Sequence, residues 1–209
     1  MARLTRLLPL VRSTAPEDRN QTRVLDAALV AFLDFGIKRT SMVEVARRCG
    51  LSLATLYRRF ASKSDLIQAV GLRQTREFVE QVDAALQQVD RDAGAEEQIV
   101  ELFAAFITGL RDNQLVHRLL ATEPELVLPY LTTKGAPVLE LGRDYVAEFI
   151  TRLQQEGKLP DYDPEPLAEM IARTALSLAL TPQTVIPLGD EEAIRRFARD
   201  HVVVSFRVP

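Results

Sequence analysis

Apolar side chains recur along most of the chain at the three- and four-residue spacing of a helix, and alternation with period two is confined to the neighbourhood of Val202, Val203 and Val204. The pattern predicts an all-α protein. From Thr22 onward, Leu25, Ala28, Leu29 and Phe32 mark one face of a first helix, which Gly36 stops as a left-handed cap. Thr40 and Ser41 open a second, short helix in which Ser41 caps, Glu44 reaches back from three residues on, and Gly50 closes the far end. Ser52 caps a third segment, Leu53 to Phe60. Ser62, with Asp65 three residues on, caps a fourth that begins near Lys63. Two helices of about eight residues around a glycine-containing turn make a helix-turn-helix pattern.

Beyond it the helices lengthen. The fourth runs to about Val89, and a fifth over 95–111 carries Ile99, Leu102, Phe103, Phe106, Ile107 and Leu110 on one stripe. A short helix near 113–121, a turn of helix around 124–132 and a long helix from Pro137 to Glu156 follow, the last closed by Gly157 and Pro160. That long helix has two apolar rows, one through Val138, Leu141, Tyr145 and Phe149 and another through Leu139, Val146, Ile150 and Leu153. Over 164–181, Leu167, Met170, Ile171, Ala175, Leu176, Leu178 and Leu180 go nearly all round, with Glu169 and Arg173 the charges beyond Glu165 in the first turn. A helix apolar on two sides needs two partners, so a homodimer through these two helices is expected, the alternative being a central helix of a monomeric bundle.

Composition narrows the class. The 209 residues are 47% apolar and 26% charged, which is ordinary globular usage. The single cysteine, Cys49, forms no internal disulfide, and with two histidines it leaves too few soft ligands for a structural zinc site, so no metal and no cofactor are expected. No apolar run approaches the roughly 18 to 20 residues of a membrane span, and the stretch around Pro9 is too short for a secretory signal. No membrane association and a cytoplasmic location are the expectation.

The net charge of −3 hides an uneven distribution. Residues 1–63 hold 12 Lys and Arg against 5 Asp and Glu, whereas residues 64–209 hold 14 against 24. A basic small part on an acidic large part is what a nucleic-acid contact surface on a non-contacting body looks like. Residues 1–19 show no sustained period and contain Pro9, Ser13, Thr14 and Pro16, which predicts a mobile basic arm. The expected organisation is that arm at 1–19, a helix-turn-helix domain at 20–66 and a helical effector-binding and dimerisation domain at 67–209.

The stretch Thr22 to Leu66, 45 residues, resembles the DNA-binding domain of the TetR family of transcriptional regulators. The matching elements come in order: a first helix ending at Gly36, Thr40-Ser41 before the second, Gly50 at the turn, the Thr55-Leu56-Tyr57 core of the recognition helix, Phe60, and Ser62-Lys63 opening the fourth. The resemblance implies a repressor that leaves a palindromic operator when a small apolar effector binds. Short hydroxyls, tyrosine, lysine and helix N-termini suit phosphate, so Thr40, Ser41, Ser52, Tyr57 and Lys63 are the expected positioning contacts. Arg58 or Arg59 could bond guanine O6 and N7, while Leu53, Ala54 and Thr55 could meet thymine methyls. Leu56 and Phe60 are expected to pack inward. Leu53 stands where the family often has a polar residue, which thins hydrogen-bond readout at the helix start.

Family members bury a ligand pocket among the later helices, and the side chains here that could line one are Phe103, Phe106, Ile107, Leu110, His117, Tyr145, Phe149, Met170 and Arg173. Arg173 and Glu169 could equally form an i, i+4 ion pair. Two other classes compete. An enzyme is disfavoured, since no G-x-S-x-G elbow, H-E-x-x-H pair or phosphate-binding glycine loop occurs. A helical adaptor that uses its basic helices on an acidic protein is the second alternative.

Overall fold

The computed structural model describes residues 7–13, 18–90, 92–181 and 183–207, and every regular element among them is helical. In chain order these are α1 (Leu7–Ser13), α2 (Arg19–Phe35), α3 (Met42–Cys49), α4 (Leu53–Arg59), α5 (Lys63–Gln88), α6 (Ala95–Arg111), α7 (Gln114–Thr122), α8 (Pro124–Leu131), α9 (Ala136–Gln155), α10 (Pro164–Leu180) and α11 (Glu191–Phe197). A π-helical turn, Ala198–Val202, and a 3-10 turn, Val203–Arg207, follow. No helix among the described residues is long and apolar enough to cross a membrane.

Helix starts obey the side-chain caps that the sequence carries. Ser41, Ser52 and Ser62 accept hydrogen bonds from the backbone N–H of Glu44, Thr55 and Asp65, each at 3.1 Å. The reciprocal half of the expected capping box is not made. Glu44 turns its carboxylate to Arg47 and Arg48 on its own helix instead, where two guanidinium groups offer charge-assisted bonds. Gly50 ends α3 in the left-handed conformation, and Gly36 ends α2 with φ 81° and ψ 164°, an extended mirror-image geometry rather than the left-handed helical one expected.

The chain folds into two compact units. One holds Val11–Glu77 together with Asn113–Thr133, so α7 and α8, far along the sequence, fall in the same unit as the helix-turn-helix. Its core is built on Leu25, Phe32, Val45, Leu56 and Leu66, all fully buried, and Leu115 and Leu119 of α7 belong to the same cluster. Each such side chain contributes about 1.5–3 kcal/mol by leaving water. Leu56 and Phe60 pack inward as expected. The other unit comprises 7–10, 78–112 and 134–207, in which α9 packs along α10 and α6 against α11 and the terminal turns.

Two stretches differ from expectation. Within the supposed arm, Leu7–Ser13 is helical, with Leu8 and Val11 buried and the Val11 carbonyl accepting from Arg76 Nε at 3.3 Å. Pro9 falls in the first turn of that helix, where its missing N–H would have had no intrahelical partner. Residues 1–6 and 14–17 of that arm lie outside the described residues. The first helix of the helix-turn-helix also starts earlier, at Arg19, because Asp18 caps it through Gln21 N at 2.8 Å.

Candidate nucleic-acid interface and effector cavity

Helices α3 and α4 meet through the Gly50 turn, and the outward side of α4 is open. Ser52, Leu53, Ala54, Tyr57 and Arg58 are exposed there, and Thr55 is half-buried. The Ser52 and Thr55 hydroxyls are 2.8 Å apart, which orients both at the start of the helix. The two arginines differ. Arg59 donates to the Asp18 carboxylate at 2.7 Å, and that hydrogen bond holds Asp18 below the usual carboxylate range. Arg58 makes no hydrogen bond or ion pair with the described residues and projects from α4 into solvent.

Ser41 is exposed at the start of α3, and Lys63, at the start of α5, donates from Nζ to the Lys38 carbonyl at 3.1 Å. An ammonium group has three donors, so two remain for a further acceptor. Thr40 departs from expectation. It is only 2% exposed, and its Oγ1 lies 2.7 Å from the Gly36 carbonyl and 3.0 Å from the Ala31 carbonyl, donating inward. Its hydroxyl closes the turn between α2 and α3 and is not presented at the surface.

That turn is held from a second side. The Glu123 carboxylate, at the junction of α7 and α8, accepts from Ile37 N at 2.6 Å and Lys38 N at 2.9 Å. Lys38 Nζ pairs with Glu125, and Arg118 donates to the Asp34 carbonyl at 3.4 Å. On α3, Arg48 bridges Glu44 and Asp34, both at 2.7 Å, and the hydrogen bonds from Arg47 and then Arg48 pull the Glu44 carboxyl down to about 2. None of Asp18, Lys38, Glu123 or Glu125 was legible as a site residue. The partners that tie them into this surface, Arg59 for Asp18 and the Lys38–Glu123 and Lys38–Glu125 pairs, lie between 41 and 87 residues away, and no local spacing encodes such a pair.

In the other unit a small cavity opens between α6, α9, α10 and the terminal turns. Its wall is entirely apolar and includes Phe103, Phe106, Ile107, Val146, Ile171, Ala175 and Phe206, enclosing about 20 Å³. Of the expected ligand-lining residues, Phe103, Phe106 and Ile107 are there and the rest are not. Tyr145 is buried with its ring against Phe106 and its hydroxyl donating to Asp83 at 2.6 Å. Phe149 is core, its ring covered by the Arg152 guanidinium at 5.2 Å. Met170 is 51% exposed, and Arg173 is exposed and bonded to Glu169, the ion-pair alternative. Leu110 is half-buried off the cavity, and His117 is exposed on α7, in the unit that carries the helix-turn-helix.

Known proteins resemble this chain in both of its parts. Residues 24–70 match the family pattern described as bacterial regulatory proteins, tetR family, and residues 90–199 match the Bacterial Tetracyclin repressor, C-terminal domain. An uncharacterized HTH-type transcriptional regulator of Mycobacterium bovis is 26% identical over 85% of this chain and 90% of its own length. The HTH-type transcriptional activator FasR of Mycolicibacterium smegmatis is 31% identical over 66% of this chain and 61% of its own. The crystal structure of the TetR family repressor AlkX from a Dietzia strain, implicated in biodegradation of n-alkanes, superposes with TM-score 0.59 over 92% of this chain and 96% of that one, at 19% identity.

Proposed function

This chain belongs to the TetR family of bacterial regulatory proteins, a DNA-binding transcriptional regulator and not an enzyme, and from that premise we propose that it is a cytoplasmic homodimeric repressor released from a palindromic operator by a small apolar effector. The observation that carries the DNA half is the open face of α4, where Arg58 is exposed and has no ion pair among the described residues while Arg59 is tied to Asp18. Arg58 reads a base, and Ser41, Ser52, Tyr57 and Lys63 position the phosphates. Leu53, Ala54 and Thr55 supply methyl contacts at the start of the helix.

The effector half rests on the all-apolar wall around Phe103, Phe106 and Ile107. A void of about 20 Å³ has room for little more than a water-sized sphere, whereas ligand sites are commonly about 300–1,000 Å³. The effector must therefore bind a conformation in which α6 and α10 have moved apart. That supplies the differential affinity a ligand needs to shift an equilibrium, typically about 1–3 kcal/mol and reciprocal between the sites. The name of the n-alkane-linked AlkX relative fits an aliphatic ligand.

The test is a gel shift on a duplex selected from a random library by the wild-type protein, repeated with straight-chain aliphatic compounds of increasing length. Binding that is sequence-selective and weakens with one such compound supports both halves. Selective binding that no apolar compound changes removes the effector half alone.

A further inference from the structure

Among the buried polar side chains, Glu123 stands apart because its partners are two backbone amides on an element the sequence places about 85 residues away. It is 7% exposed and accepts from Ile37 N and Lys38 N, the first two N–H groups after Gly36. Gly36 is fitted to it: a Cβ there would lie 3.0 Å from the Glu123 carboxylate. The Lys38 residue is then engaged at both ends of its backbone, its N–H by Glu123 and its carbonyl by Lys63 Nζ. Two residues further on, Thr40 closes the turn and Ser41 starts α3. The carboxylate thus reaches, through one residue of main chain, the ammonium group assigned to phosphate.

We propose that Glu123 is a positioning residue for operator binding: by fixing the 36–41 turn it aims Lys63, and with it the start of α3, at the DNA backbone. It touches no DNA itself. The inference rests on the reading of Lys63 as a phosphate contact and adds that an α7–α8 side chain sets where that contact is made. A charge at this place is needed because two N–H donors converge on one group, which a carboxylate satisfies with two oxygens. A glutamine has the same shape but turns an amide N–H₂ toward one of the donors.

The experiment compares wild-type protein, Glu123→Gln, Lys63→Ala and the double variant on the duplex the wild type selects from a random library, at several salt concentrations. Glu123→Gln is expected to weaken binding about tenfold and to lower the salt slope by roughly 1 per subunit, as Lys63→Ala does. The double variant is expected to bind within about twofold of the weaker single, because each removes the same contact. A merely structural role predicts unchanged slope and losses that multiply, and either result overturns the proposal. Glu123→Asp, which keeps the charge but withdraws it by one methylene, guards against misfolding of the glutamine variant: a folded Asp variant with wild-type slope also overturns it. A wild type that selects no sequence at all would instead remove the operator reading.

Discussion

Arg58 and Arg59 are neighbours in sequence, about 100° apart around α4, and that rotation is enough to give one a carboxylate and leave the other in solvent. Residue chemistry of this kind also decides what the same substitution does at different glycines. Gly36 has φ 81° and ψ 164°, a region almost closed to side chains, and its Cβ would meet Glu123. Gly36→Ala is therefore expected to cost about 1–3 kcal/mol in urea unfolding. Gly71 lies inside α5 with nothing within 4 Å of where its Cβ would be, so Gly71→Ala is expected to stabilise by roughly 0.5–1 kcal/mol. Opposite signs in one denaturation series check both; a neutral or stabilising Gly36→Ala would refute the geometry at Gly36, and a destabilising Gly71→Ala the open space at Gly71. The capping serines and Gly50 were legible from sequence because each acts on residues within one turn of itself, and Leu56 and Phe60 because their one-turn spacing marks a single inward face of α4. Thr40 was misplaced because its hydroxyl acts on Ala31 and Gly36, inward across the turn, which no spacing announces.

At the scale of elements, helices with an apolar stripe or a clear cap were legible, including the short α3, α4, α7 and α8, whereas the seven-residue α1 and α11 were not. The fifth predicted helix, 95–111, matches α6 at both ends, whereas α1 is seven residues with proline in its first turn and no sequence period to show it. The end of the chain shows another limit. Ile194 and Ala198 are a helical turn apart, but Val203 follows at five residues and Phe206 at three, and all four are buried. The π-turn over Ala198–Val202 absorbs that extra residue and keeps the apolar face inward, so a valine run with strand-like alternation ends in helical turns. On α3, Glu44 has its carboxyl held near 2 by Arg47 and Arg48, against 4.5 for the free group. A depressed folded pKa gives stability that is present above about 4.5 and is lost as pH falls toward 2. Glu44→Gln is expected to flatten the fall in unfolding free energy over that window and to leave its shape at higher pH unchanged; a wild-type acid slope in the variant would contradict the pairing.

For the whole molecule, the two late helices keep apolar surface that one chain does not cover. Val138 of α9 and Met170 of α10 are exposed, and the buried residues of α10 are Ala168, Ala172 and Ala175, its leucines remaining half-buried. TetR-family regulators bind DNA operators and dimerise, and a dimer through α9 and α10 is the arrangement these surfaces support. The double variant Val138→Glu, Met170→Glu is expected to sediment as a folded monomer at micromolar concentration and to lose operator binding; a stable dimer would place the interface elsewhere. The family and the helix-turn-helix were legible because their signals are local and dense. The membership of α7 and α8 in the DNA-binding unit was not, since it depends on packing between segments far apart in the chain. The most direct test is selection of sequences from a random duplex library by the wild-type protein and by Arg58→Ala in parallel. The wild type is expected to enrich an inverted repeat with half-sites about one helical turn apart or a multiple of it. In Arg58→Ala one base pair of each half-site is expected to lose its preference, at about 1–3 kcal/mol on the wild-type sequence, while the rest of the repeat persists. An unaltered preference in the variant, or no enriched sequence from either protein, would contradict the assignment of α4 as the reading helix.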